Sequence, residues 1–302
     1  MQNKNLTKKQ HYVPQVYLRG FSQDGKRVYP FDLKTGTSKQ TPISIETICY
    51  EKYLYEIKDN NGKIISDNYI EKILCILEGQ FATYLNKLKS KAFNEVNYKT
   101  KCFLTKEEKA FWVSFIAVQM LRIPLVLNTV EKFTTEYFGE DLKENTARTI
   151  ALNQCLPFFK ELKTDDKNVF SMIVKPFTEM TIAVGVDEKE SIFTSDKPVY
   201  CYVPDNVRGV YETVYFPICR NLVFILFGGV EKEQYDKNRL IKLESEDVIN
   251  IKKSIAFTAQ SWLFSACSFK PDDIKLINEA RKDKQIYEQL KSNNFGGSNE
   301  QL

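Results

Sequence analysis

An α+β fold is predicted by three features of the sequence. Two hairpin-like stretches occupy the front of the chain. Apolar residues then recur at three- and four-residue steps through 67–88 and again through 105–124, as on long helices. After residue 180, five short apolar or alternating segments follow within about fifty residues, too close together for crossover helices, which predicts a largely antiparallel meander. The expected order is an N-terminal short helix and β-hairpins, central long helices, an antiparallel β-meander and a closing C-terminal helix. These pack as a single domain over 11–285, or as two tightly joined lobes, between a flexible basic leader at 1–10 and a disordered tail at 286–302.

Pro14 suits the first turn of a short helix, where its missing N–H costs nothing. Tyr17, Leu18 and Phe21 supply its apolar contacts, and Gly20 is placed to stop it. "KRVYPFDLKTGTSKQTPI" gives two extended stretches around Lys34-Thr35-Gly36-Thr37, and "KYLYEIKDNNGKII" a second hairpin around Asn60-Asn61-Gly62. From Asp67 to Leu88 the stripe Ile70, Ile73, Leu74, Leu77, Phe81, Tyr84, Leu85 and Leu88 is amphipathic. The next helix starts at Thr105, whose spacing to Glu108 is that of a capping box, and runs to Pro124. It is apolar on nearly every side and belongs at the centre of the core. Further helical segments fill 125–180. "MTIAVGV", "SIFTS", "PVYCYV", "ETVYFPI" and "NLVFILFG" are the strand candidates. A last long helix opens at Ser245 and places Val248, Ile251, Ile255, Ala259, Trp262 and Ala266 on one face.

With 43 basic and 39 acidic side chains, the net charge of +4 is too small for nucleic-acid binding by bulk charge, although a local basic face is compatible with it. The seven cysteines are scattered without a C-x-x-C pair, as expected of reduced thiols in a cytoplasmic protein. The polar start lacks the apolar region of a secretory signal. "AFWVSFIAVQMLRIPLVL" approaches the length of a membrane span but carries Gln119, Arg122 and Pro124, so it is expected to be buried in protein, with no membrane involved. Gly-rich phosphate loops are absent. Asp32 with Glu56-Ile57-Lys58 follows the D…E-x-K order of metal-dependent nucleases, but this order recurs by chance in a Lys- and Glu-rich chain and the hairpin context does not fit.

His11 is the sole histidine, which excludes two-histidine metal sites and leaves residue 11 as the imidazole of any histidine-dependent chemistry. It is either a general acid or base, or a pin holding the N-terminal segment through its ring nitrogens. Asp196, in Ser195-Asp196-Lys197-Pro198, fits plain turn chemistry, and alternatively a carboxylate that holds a metal or orients His11. Glu78 flanks the apolar stripe of its helix. Glu71 lies on the same flank two turns earlier, about 10 Å away and too far to share a proton or a metal ion with it. Arg122, three residues after Gln119 in an apolar helix, needs a partner: an internal carboxylate such as Glu78 or Asp196, or a phosphate or carboxylate ligand.

"HYVPQVYLRGF" at 11–21 and "FTSDKPV" at 193–199, separated by long helices, resemble the bacterial proteins grouped as domain of unknown function family 4238. The resemblance spans roughly 9–270 and places the family's motif positions on His11, Pro14, Gln15, Glu78, Gln119, Arg122, Ser195, Asp196 and Pro198. It implies no activity.

The favoured expectation is a nuclease-like hydrolase, or another protein handling a phosphate-bearing ligand such as RNA, DNA or a nucleotide. In it His11, Glu78 and Asp196 are catalytic and Gln15, Gln119 and Arg122 bind substrate. No cofactor is firmly implied; Mg²⁺ or Mn²⁺ would use Glu78 and Asp196. The alternative is a non-catalytic binding or sensor protein, for instance a partner in a defence or toxin system. There the same residues form a buried clasp joining the N-terminal segment to the meander.

Overall fold

A computed structural model describes residues 6–59, 61, 63–65, 68–94, 103–139, 144–156, 168–203, 211–228 and 239–295. The fold is α+β. Among the described residues its helices are α1 (Gln15–Leu18), α2 (Tyr69–Asn94), α3 (Lys106–Leu121), α4 (Pro124–Phe138), α5 (Glu144–Cys155), α6 (Val169–Glu179), α7 (Ser245–Thr258) and α8 (Pro271–Phe295). One five-stranded sheet has the order β11-β6-β10-β9-β8, from Arg239–Lys242, Thr181–Val186, Leu222–Phe227, Thr213–Cys219 and Tyr200–Tyr202. A second runs β3-β2-β12-β7, from Thr37–Ser38, Arg27–Asp32, Trp262–Ser265 and Thr194–Ser195, with β4 (Ile43–Ser44) also on β2. A separate pair joins β1 (Lys9–His11) to β5 (Tyr50–Lys52).

Aromatic side chains lock the helices to the first sheet. Phe81 of α2 stacks on Phe115 of α3 at 4.6 Å between centroids, and Trp112 of α3 meets Phe224 of β10 at 4.7 Å. Tyr17 of α1 stacks on Phe216 of β9 at 5.3 Å, while its hydroxyl shares a 2.6 Å hydrogen bond with Thr194 of β7. Each such ring, fully buried, contributes roughly 1.5–3 kcal/mol. The short N-terminal helix is thereby wedged between α2 and both sheets.

Several expected elements changed. The chain is ordered from within the stretch expected to be a flexible leader, since Lys9 and Gln10 pair with Lys52 and Glu51. At the other end, α8 continues past residue 286 to Phe295, into the stretch expected to be tail; residues 296–302 lie outside the described residues. The hairpin expected around Asn60-Asn61-Gly62 reduces to one bridge, Lys58 to Ile64, because the preceding β5 pairs with β1 instead; Asn60 and Gly62 lie outside the described residues.

The helix opened at Ser245 stops at Thr258, and Trp262–Ser265 becomes a central strand, because the Asp196 carboxylate takes the N–H groups of Gln260, Ser261 and Trp262 and draws them out of the helical ladder. The five strand candidates all form, yet they are not one meander: β7 joins β12 in the second sheet, and β6 pairs with β10. A further strand, β11, lies parallel to β6.

The apolar run 110–127 divides between α3 and α4, which bend by 68°, with Pro124 opening the second. Among the described residues no single helix is long and apolar enough to cross a membrane. Gly20 serves a different purpose from the one expected: α1 continues into a 3-10 turn, Arg19–Phe21, and a Cβ at residue 20 would lie 2.9 Å from Cys219 Cβ and 3.0 Å from the Ile218 oxygen. The segment docks backbone-close on β9, where Arg220 N–H donates to Gly20 O at 3.1 Å.

Candidate functional site

The β1–β5 ladder brings the N-terminal segment across the C-terminal end of α3. Gln10 is buried in it, donating to Glu56 Oε1 at 2.7 Å and accepting from the Tyr55 N–H at 2.7 Å. Beyond the ladder, two backbone carbonyls face α3. Gln119 Nε2 donates to Tyr12 O at 2.8 Å, and Arg122 Nη2 donates to His11 O at 2.6 Å. Arg122 Nε donates to the Tyr55 hydroxyl at 3.2 Å and Nη1 to Glu78 Oε1 at 3.0 Å. Tyr55 in turn donates to the Arg122 carbonyl at 3.1 Å.

All three guanidinium nitrogens are therefore committed within the chain, and Arg122 is 1% exposed. Burial opposes its charge, but Tyr55 and Glu78 more than offset this and hold the guanidinium above its ordinary pKa. It caps α3 at the end where the helix dipole favours a cation. Of the partners expected, an internal carboxylate such as Glu78 or Asp196 or a ligand, it is Glu78 that pairs with it, with a side chain that remains 24% exposed.

His11 is half-buried, its ring 5.5 Å from that of Tyr50. Burial lowers its pKa, with Arg122 and Lys9 acting in the same direction and a hydrogen bond to the backbone of Glu46 opposing. Gln15 Nε2 stands 3.5 Å from Nδ1 and 3.4 Å from Nε2, at the outer limit of hydrogen bonding. Glu71, noted on the flank of α2 but left out of the expected site, belongs to it. Burial raises its carboxyl to about 7, with Glu78 and Glu56 adding and Arg122 opposing, and its Oε2 is buried without a hydrogen-bond partner among the described residues. Cys75, between the two glutamates, has its thiol pushed up by burial and by their charges.

Asp196 is bonded elsewhere, although it lies within electrostatic reach of Tyr12 and Cys49. Its Oδ1 accepts from Gln260 N–H at 2.9 Å and its Oδ2 from Ser261 and Trp262 N–H at 2.7 and 3.1 Å, while Ser195 Oγ accepts from Lys197 N–H at 3.1 Å. Burial raises its pKa against these three bonds. Ser195 thus makes the local turn bond anticipated for Ser195-Asp196-Lys197-Pro198, whereas the Asp196 carboxylate binds the backbone 64–66 residues further on, at the start of β12. No hydrogen bond joins Asp196 to His11, Glu78 or Arg122 among the described residues. So His11, Gln15, Glu78, Gln119 and Arg122 come together, and Asp196 does not.

Of the D…E-x-K residues, Asp32 accepts from Lys34 and Thr35 within its own turn and Glu56 is bound to Gln10, so they form no joint site. Among the described residues no group of three or more His, Cys, Asp or Glu is placed to hold a metal ion. A cleft of about 790 Å³ opens elsewhere, between α7 and the start of α8, rimmed by the ion pairs Lys252–Asp273 and Lys253–Glu279 at 2.8 and 3.0 Å.

The clasp begins at β1, and so does the match to known families: the family model described as "Protein of unknown function (DUF4238)" matches residues 9–268. The chain belongs to this family. No curated protein and no solved structure matches it. In this DUF4238 chain the HYVPQ opening supplies the strap, and the glutamine and arginine late in α3 are what grip it.

Proposed function

We propose that this DUF4238 chain works as a binding protein, with His11, Gln15, Glu78, Gln119 and Arg122 forming a clasp that fixes its N-terminal segment. The observation that carries this reading is the commitment of Arg122: a guanidinium only 1% exposed, each of whose nitrogens already bonds His11 O, Tyr55 or Glu78, is not presented to a phosphate. The test compares Arg122→Leu and His11→Ala with wild type in melting and in phosphodiester hydrolysis with Mg²⁺ or Mn²⁺. The clasp predicts a large stability loss for Arg122→Leu and no metal-dependent hydrolysis by wild type. Hydrolysis that disappears in a His11→Ala variant of unchanged melting point would sink it.

A second reading, hydrolysis of RNA, DNA or a nucleotide, is favoured by Glu71, a half-buried carboxyl titrating near neutrality with an unpartnered oxygen beside Arg122 and Glu78. It requires an activity that Glu71→Gln removes while leaving the fold intact.

A further inference from the structure

The guanidinium of Arg122 is paired with a carboxylate, Glu78; two cations of α8 share an uncharged acceptor instead. Arg281 and Lys284, neighbours on one face of α8, donate to the same atom, the carbonyl oxygen of Ala259, each at 3.0 Å. Their charged nitrogens are thus at most twice that distance apart, and the group between them is a neutral amide. A third cation, the half-buried Lys197 of the β7–β8 turn, lies within electrostatic reach of Lys284. None of the three has a carboxylate ion pair among the described residues. The nearby carboxylates compensate in part: Asp196 is filled by three backbone N–H groups, and Glu288 is exposed.

Ala259 caps α7, and a free carbonyl at a helix C-terminus accounts for one cation there. It does not account for a second on the same oxygen, with a further lysine within electrostatic reach of Lys284. Burial lowers the pKa of Lys284, and the charges of Arg281 and Lys197 lower it further; Lys197 too is lowered by burial, with Cys201 and Asp196 opposing. The group is held together against its own repulsion.

We infer that Lys197, Arg281 and Lys284 form a binding site for a phosphate group. A dianion among three cations relieves the repulsion that a neutral carbonyl leaves in place, and an arginine with two ammonium groups presents the donors that phosphate oxygens accept. A carboxylate carries half that charge. Lys197 falls within the family match, Arg281 and Lys284 beyond it, and none of the three takes part in the clasp.

The test is thermal melting and calorimetric titration of the full chain with inorganic phosphate, AMP and adenosine at matched ionic strength, for wild type, Lys197→Gln and Lys284→Gln. Phosphate should raise the wild-type midpoint saturably. Each variant should melt at or above wild type without phosphate, because a repelled charge has gone, and should bind phosphate about tenfold or more weakly. AMP binding more tightly than phosphate, with adenosine inert, identifies a nucleotide as the source; equal affinities identify phosphate alone. The site is overturned if phosphate shifts the midpoint no more than chloride does, if the variants bind as well as wild type, or if Lys197→Gln melts lower without ligand. Arg122→Leu, assayed where it is still folded, should bind phosphate like wild type, so failure of the clasp and failure of this site are separate results.

Discussion

Arg122→Leu removes the centre of the clasp, and its cost is set by the groups it leaves behind. The His11 carbonyl loses a 2.6 Å charged donor and is left competing, at 3.4 Å, with the Arg122 carbonyl at 3.1 Å for the one Tyr55 hydroxyl proton; Tyr55 loses the donor to its oxygen; Glu78 loses its ion pair. Breaking a buried ionic network by deleting one partner costs on the order of 3–5 kcal/mol. Here Glu78, 24% exposed, can be rehydrated, and the desolvation of the guanidinium is relieved, so about 3 kcal/mol is expected. Arg122→Lys should recover less than half of this, because one ammonium cannot reach three acceptors arranged around a planar fork. Urea unfolding at pH 7 measures both, as a fall in midpoint without a change in slope. A loss below about 1 kcal/mol for Arg122→Leu would refute the reasoning: the guanidinium would then be dispensable to the fold and available to a ligand.

Glu71 gives stability a pH dependence of known sign. Its folded pKa, about 7 against an ordinary 4.5, is raised, so its contribution is complete below about 4.5 and is lost as pH rises through 7. Glu71→Gln should match wild type near pH 4 and exceed it at pH 8 by up to roughly 3 kcal/mol, read from urea midpoints across that range. Asp196→Asn presents an amide to the N–H groups of residues 260–262 and should cost about 1–3 kcal/mol, with hydrogen exchange rising first at Ser261 and Trp262. Gly20→Ala drives a methyl into Cys219 and should cost about 1–3 kcal/mol by the same unfolding assay; a neutral result would mean that β9 can move away.

Local features were the legible part of the sequence. Thr105 and Glu108 do form the capping box, since its two bonds span three residues, and the stripe of α2 buries Ile70, Leu74, Phe81, Leu85 and Leu88. The Arg122–Glu78 pair was legible for another reason: a cation in an apolar helix requires a counter-charge, and few were placed to supply it. Its other acceptor, the His11 carbonyl, has no side-chain signature, so the grip on the strap was not legible. Nor was the end of α7, whose apolar spacing continues smoothly through Trp262 until a carboxylate from residue 196 overrides it. Glu71 was set aside on its distance from Glu78; the missing fact was that Arg122 lies near both.

These particulars divide the Ser195-Asp196-Lys197-Pro198 turn between two roles. Asp196 looks inward, its oxygens taken by the backbone between the helix α7 that it ends and the strand that follows, so its charge is structural. The neighbouring Lys197 has no carboxylate ion pair among the described residues and lies within electrostatic reach of Lys284, which shares one carbonyl with Arg281. If the proposed site is right, the turn serves to hold this lysine: Asp196 fixes the backbone of residues 260–262 next to Ala259, and so sets where Arg281 and Lys284 converge. Asp196→Asn should then weaken phosphate binding through position as well as lower stability, and Lys197→Gln should weaken binding without lowering stability. A double variant no weaker in phosphate affinity than Lys197→Gln alone, against additive losses, would show that the carboxylate acts on the ligand through that lysine.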